Sequence, residues 1–552
     1  MLKYTFLFNC DLKIKYGVLF LLVYFHQNML IGQDTSKSQT IKIVSDYKPV
    51  LRPSTKLSFS ASPLPPAPFT DNFKYLLPDQ QFKVMMKPVD LVPAAFKSDS
   101  IKFTNQHFVK LGYGNFQRIY ADAGMSLGAG KPTQVQLNAG YHSIKGNLRF
   151  QENNRAYADL FLQTYRNNHR LNTNVSFQRR NYFYYGIDTA NIAAKQDSLR
   201  QTFSRFNAEI DLSNNTPNVY GITYKPSLRI SLFNDLRSNE VNALVRLPFS
   251  LNVGSNSKFS LQLNADLTQF NPADTTSYQN HIVGVYPSFN FPVKDLNFDL
   301  GGQVAWDQGE LNFLPQIGLE AFVGSNRAIL LAGWKSSIQK NNYQHLTDLN
   351  PWIRQPLAQF NTRTDEIFAG LRGHLPANIQ YRFRAGIKNF QRLPLFINVK
   401  QPSVFDIIYE ESLETFNVNA TVEYLYSEKI SAAASMELFQ TIKQQDASRP
   451  WHFIPLQVNF SAIWKPVKNV SVQSKIYGWQ GPYVKTDMAN QFKRLPAVVD
   501  ANIEADVRLS KIFTAWLQLN NIFNQAYQRW YQYPVVGIQI VGGIRLNFEG
   551  IK

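Results

Sequence analysis

The stretch Val499-Asp-Ala-Asn-Ile-Glu-Ala-Asp-Val-Arg-Leu-Ser510 decides the fold. Val499, Ala501, Ile503, Ala505, Val507 and Leu509 are apolar. Asp500, Asn502, Glu504, Asp506, Arg508 and Ser510 alternate with them. Successive side chains on a strand point to opposite faces, so this run reads as a strand with one greasy face and one charged face. Phe259–Thr268 and Val536–Phe548 repeat the pattern. In the first, Phe259, Leu261, Leu263, Ala265 and Leu267 alternate with polar residues. In the second, Ile538, Ile540, Gly542, Ile544, Leu546 and Phe548 fall on one face.

These runs are long. Soluble strands average about 5–6 residues, whereas a tilted strand needs about 9–11 to cross a bilayer. In lipid only a closed barrel satisfies every backbone polar group. The alternation continues from about His107 to Phe548 and resolves into about 22 runs. The links between them sort by length. Gly254–Asn256, Lys294–Asp295, Ser427–Lys429 and Lys465–Asn469 are short, and Ile187–Leu199, Gln344–Asn361, Arg392–Ser403, Thr441–Phe453 and Pro482–Pro496 are long. Short turns at one end and longer loops at the other mark an outer-membrane barrel. The expected fold is therefore all-β: a transmembrane antiparallel up-and-down barrel of about 22 strands, residues 100–552, in the bacterial cell outer membrane.

Composition agrees. The 552 residues include 27 Tyr and 41 Phe, while charged residues make up only 17%, below the roughly 25% of soluble proteins. Disordered chains lack aromatics, and the lone Cys10 rules out a disulfide framework. Lys3, Lys13 and Lys15 precede the apolar run Tyr16–Phe25. That run is too short to span a bilayer as a helix and reads as a signal peptide over residues 1–33. Residues 34–99 hold nine prolines, Pro63-Leu-Pro-Pro-Ala-Pro68 among them, which disfavours helix and central strand. This region is expected to be an extended N-terminal segment.

Near the C-terminus the chain reads Leu519-Asn-Asn-Ile-Phe-Asn-Gln-Ala-Tyr527, then Tyr533-Pro-Val-Val-Gly537, then a last strand ending on Phe548. This resembles the end of TonB-dependent receptors, where an N-L-F-N/D-x-x-Y turn, a Y-P-x-P-G-R stretch and a final aromatic strand recur. Ile522 stands for the Leu, Val536 for the second Pro and Ile538 for the Arg. Tyr182-Phe-Tyr-Tyr-Gly186 and the abundance of Asn and Gln resemble barrels of Bacteroidetes-type bacteria. The resemblance covers about Phe103–Phe548 and implies a 22-strand receptor barrel that serves uptake across the outer membrane. It also implies a globular N-terminal plug, and residues 34–99 do not supply one. A lumen this wide requires filling, by residues 34–99, by long loops folded inward or by a partner protein. Ile41-Lys-Ile-Val44 offers only a four-residue apolar match to a TonB box.

Motifs for other chemistry are weak. Gly124-Met-Ser126-Leu-Gly128 has nucleophile-elbow spacing but lies in an alternating strand, not at a strand–turn–helix. The eight histidines show no metal-ligand spacing, so no catalytic residue, metal or cofactor is expected. The formal charge of +18 comes without a nucleic-acid-binding motif. The expected partners are outer-membrane lipid and other envelope proteins filling or gating the lumen. Glu209, Asp211, Asp500, Glu504, Asp506 and Arg508 are expected to face the lumen. Gly537, Gly543 and Phe548 are expected to act in assembly through the C-terminal strand. The aromatics Tyr182–Tyr185, Tyr527, Trp530, Tyr531 and Tyr533 are expected in interfacial girdles. Two functions fit: uptake of a solute, or a non-transporting barrel subunit that binds partner proteins of an outer-membrane complex.

Overall fold

The computed structural model describes residues 106–186, 199–273, 275–324, 328–376, 378–398, 404–486 and 491–549. The expected signal peptide, residues 1–33, and the expected extended segment, residues 34–99, lie outside the described residues. The wall is one antiparallel sheet in which each strand pairs with the next along the chain. The first strand, Gln106–Gly114, pairs with the last, Gln539–Glu549, and closes the ring. The wall has 22 strands, as the alternation and link lengths predict. The seventh is broken into Ile222–Tyr224 and Ser227–Asn234, both paired to Asn239–Val253. The break holds Pro226, which lacks the ladder N–H.

Register sorts the side chains. Phe249, Leu261 and Pro287 align across three strands, as do Leu247, Leu263 and Val285, then Val245, Ala265 and Val283. Alternation within strands becomes apolar rows across them. These rows lie on the outside: Val283, Val285, Ile367, Ile503 and Ile544 are all exposed. The belt ends in aromatics. Tyr113, Trp306 and Phe313 are exposed near one end, and Tyr426 and Trp464 near the other, as two membrane interfaces require. Several strands have 15 residues, about 50 Å at strand rise, so they extend beyond a hydrocarbon core of about 30 Å. No helix among the described residues is long and apolar enough to cross a membrane; the crossing elements are strands.

The two ends differ. At one, Asn167-Asn168, Lys294-Asp295 and similar tight turns join strands, with Asn167, Lys294 and Gly254 at positive φ. That conformation favours Gly and Asn. The other end carries the long connections. The very short link at Asn115–Gln117 belongs to the long-loop end, so the parity of the strands holds from the start.

Where the ring closes, Gly112 stands opposite Gly543, and Trp516 stands opposite Gly543 on the next strand. A Cβ on Gly112 would overlap the Trp516 ring, and one on Gly543 would overlap the backbone of Leu111 and Gly112. The indole covers the glycine pair and donates from Nε1 to the Leu111 carbonyl at 3.2 Å.

Candidate functional site: a cap of long loops

Long polar loops would leave the mouth open. These loops are aromatic instead. Trp352, Phe405, His452, Trp530 and Tyr533 all sit in connections, and water disfavours leaving such side chains exposed. They gather into one buried cluster. Phe405, Ile353, Leu346 and Tyr343 are almost fully buried, together with Trp530 and Tyr533. Phe203, Phe233 and Phe270 join the cluster from the wall.

Three contacts fix the geometry. Tyr185 lies in the loop between the fifth and sixth strands, Trp352 between the thirteenth and fourteenth, and Tyr533 between the last two. Trp352 stacks on Tyr533 at 4.0 Å, Tyr185 meets Tyr533 at 4.9 Å, and Tyr185 meets Trp352 at 5.8 Å. The three loops leave the wall 8, 8 and 6 strands apart around a ring of 22. They meet at the mouth end of the fifth strand, where the Trp352 indole donates from Nε1 to the Phe183 carbonyl at 3.0 Å and lies 6.2 Å from the Tyr182 ring. The loops after the thirteenth and twenty-first strands therefore reach over the mouth to the side of the fifth.

Polar bonds tie the cap to the wall. The short helix Tyr343–Leu349 is capped by the Asn342 side chain, which accepts from the His345 N–H. Its first turn also donates to a carboxylate from the wall. Glu240, fully buried, accepts from the Tyr343 N–H at 2.6 Å, the Gln344 N–H at 3.1 Å and Gln359 Nε2 at 3.4 Å. The Tyr343 hydroxyl donates to Asp235 at 2.6 Å. At the other end of the helix, Asp348 pairs with Arg180 at 3.2 Å and with Arg205 at 2.5 Å.

Further bonds tie loop to loop. Glu410, on the hairpin Leu393–Ile397 with Asp406–Glu410, accepts from the N–H groups of Gln445, Asp446 and Ala447 at 2.9, 2.9 and 2.7 Å. Burial works against its charge, but these bonds outweigh it and hold the carboxyl below its ordinary range. His452 joins three loops. Its Nδ1–H donates to the Phe396 carbonyl at 2.8 Å, and its Nε2 accepts from the Tyr531 N–H at 3.4 Å. Arg529 donates to the His452 carbonyl at 2.9 Å. Burial pushes the imidazole down to about 3, and the Arg529 charge adds to this. His452 is a neutral linker.

The sequence-predicted residues scatter. Glu209 pairs with Arg229 at 2.9 Å, and Asp211 accepts from Asn172 at 2.9 Å, both on the sixth strand. Asp500, buried, accepts from the Tyr477 hydroxyl at 2.9 Å. Glu504 pairs with Lys110 at 2.8 Å. Asp506 and Arg508 line a cavity at the short-turn end. Gly543 and Phe548 lie in the closing strand, whereas Gly537 lies in the loop before it and faces the Asn524 side chain. The last strand starts at Gln539, and Tyr533–Pro534 before it pairs locally with Gln528–Trp530.

One expectation about the aromatics needs correction. Tyr182, Tyr185, Trp530 and Tyr533 are not girdle residues; they pack in the cap. Alternation cannot reveal this, because each stands in or next to a loop. Sequence reasoning also missed Trp352, Phe405 and His452, whose signal is the surplus of aromatic side chains in connections that water should keep polar. Ser126, the centre of the elbow-like motif, donates to the Gln106 carbonyl and accepts from its N–H. No group of His, Cys, Asp and Glu among the described residues is placed to hold a metal ion.

Solved structures share this fold. The FrpB iron transporter from Neisseria meningitidis aligns with a TM-score of 0.62 at 9% identity, over 81% of this chain and 82% of its own. The pyoverdine outer membrane receptor FpvA from Pseudomonas aeruginosa aligns at 0.62 with 11% identity, over 81% and 78%. The copper transporter OprC aligns at 0.58 with 11% identity, over 81% of each chain. No family model and no curated protein matches the sequence. Identities this low establish a shared fold: the closed 22-strand barrel of outer-membrane receptors and transporters, whose apolar belt fits a bilayer.

Proposed function

We propose that this chain is an outer-membrane uptake barrel of the TonB-dependent receptor type, and that its outer loops act as the gate. The observation that carries this reading is the contact of Tyr185, Trp352 and Tyr533, which brings together loops that leave the wall from three sides of the ring. Such a cap does the closing work that the resemblance assigns to a plug, and a lumen of this size needs closure. The iron, siderophore and copper cargoes named for the neighbours give the class of role. The solute here is a separate question. The buried aromatic cluster of the cap supports a barrel whose own loops cover the mouth. The wall residues Glu209, Asp211, Glu504, Asp506 and Arg508 would then form the wet lining of the path, with Asp500 buried beside Tyr477.

Planar-bilayer recording of the purified full-length protein tests this. A gated barrel shows low conductance at rest and large steps once the loops are displaced by ligand or by mutation. Permanent silence after the cap is opened, with stoichiometric partner proteins in the purified material, would instead support a scaffold subunit. Deleting residues 34–99 separates the contributions: conductance rises only if that segment shares the closure.

A further inference from the structure

At the short-turn end the wall holds a cavity of about 380 Å³. Arg508, Thr514 and Arg545 line it from three neighbouring strands, and Lys465, Lys468 and Lys511 line it from the two turns beside them. Asp506 is the one acid in its lining among the described residues.

Register sets the arrangement. Arg508 stands opposite Thr514, Thr514 opposite Arg545, and Arg545 opposite Lys110. Opposed residues share a face on strands about 4.8 Å apart. Two guanidinium groups therefore flank one hydroxyl, with a third cation next in the row. Like charges directly opposite are destabilising. Lys110 is neutralised by Glu504 at 2.8 Å, and Arg229, Arg372 and Arg384 elsewhere on the wall each have a carboxylate partner. Among the described residues no carboxylate lies within ion-pair distance of Arg508, Arg545, Lys465, Lys468 or Lys511. Arg545 Nε is buried and has no hydrogen-bond partner among them. Its guanidinium lies 4.4 Å from the Phe108 ring centroid, which holds it in place.

We propose that this cavity binds a phosphate-bearing ligand. The forks of Arg508 and Arg545 match the oxygens of a tetrahedral oxyanion. The Thr514 hydroxyl lies between them, and the lysines supply point charges at the rim. The phosphate has two possible sources: a phosphorylated solute inside the barrel, or a phospholipid headgroup reaching over the short-turn rim. The site stands whether or not the barrel transports.

Calorimetric titration of full-length protein in zwitterionic detergent at low ionic strength tests the proposal, with inorganic phosphate as probe. Saturable binding is expected, weakened at least tenfold in the Arg508→Gln/Arg545→Gln double variant and more mildly in Thr514→Val. Arg382→Gln, elsewhere on the wall, should bind as wild type does. Heat-dependent gel migration verifies that each variant is a folded barrel, and the milder Thr514→Val keeps the test decisive if the double variant is not. Short-chain phosphatidylglycerol is the second probe. Tighter binding than phosphate, with competition between them, identifies the lipid source; binding no tighter identifies the solute source. The proposal is overturned if neither probe binds saturably, if chloride at equal ionic strength displaces phosphate fully, or if the double variant binds like wild type.

Discussion

Trp352 and Tyr533 stack with ring centroids 4.0 Å apart and planes 24° apart, although their loops leave the wall eight strands from one another. The pair works as a clasp. Truncating a buried aromatic costs about 3–5 kcal/mol, and here the loss falls on the cap. Trp352→Ala and Tyr533→Ala should each raise bilayer conductance, while thermal unfolding of the barrel wall stays nearly unchanged. Trp334→Ala, on the exposed outer face, is the control and should leave conductance at the wild-type level. If both cap variants stay as quiet as wild type, the clasp does not close the mouth.

Acid should loosen the same loops. His452 titrates near 6.5 when unfolded and is pushed down to about 3 in the cap. The unfolded loop thus binds more protons between these values, so the linkage favours opening as pH falls. The His452 contribution is complete above about pH 6.5 and declines steadily towards pH 3. Protonation would also turn Nε2 into a donor facing the Tyr531 N–H. Glu410, held below its ordinary range, acts in the same direction at lower pH. Hydrogen exchange in residues 447–455 and 528–533 should be flat from pH 8 to 6.5, once corrected for intrinsic rates, and faster below. His452→Gln should abolish the slope between pH 6.5 and 4.5; a slope that survives would place the sensor elsewhere.

Glu240 holds the helix Tyr343–Leu349 against the wall. Glu240→Ala leaves the Tyr343 and Gln344 N–H groups and the Gln359 amide short of an acceptor. A buried donor without a partner costs about 1–3 kcal/mol. Exchange protection of residues 343–349 should fall by about one order of magnitude or more, consistent with that cost. Unchanged protection would mean that water replaces the carboxylate at no cost.

The closing seam predicts a steric intolerance. Gly543→Val places carbons where the backbone of Leu111 and Gly112 lies, and Gly112→Val places them in the Trp516 ring. Both variants should lower the yield of folded, heat-modifiable barrel sharply. Gly318→Ala is the comparison, since a Cβ there meets Asp299 at an ordinary 3.5 Å, and it should assemble normally. Normal assembly of Gly543→Val would show that the seam can widen.

The wall was legible in the sequence because its rule is local. Whether Ile503 faces outward and Glu504 the opposite way follows from their adjacency on one strand, and strand number follows from counting such runs between links. Bilayer thickness set the run length, so Tyr278–Val293 could be recognised without knowing its neighbours. The cap obeys no such rule. Trp352 and Tyr533 are separated by long stretches of chain, and their loops have no period. Nothing in either stretch says which aromatic ring it will meet. Only closing the barrel into a ring of 22 strands decides that, because closure sets the three loops around one mouth and lets Trp352 and Tyr533 reach the side of the fifth strand, where their apolar surface escapes water against Tyr185, Phe203 and Phe233.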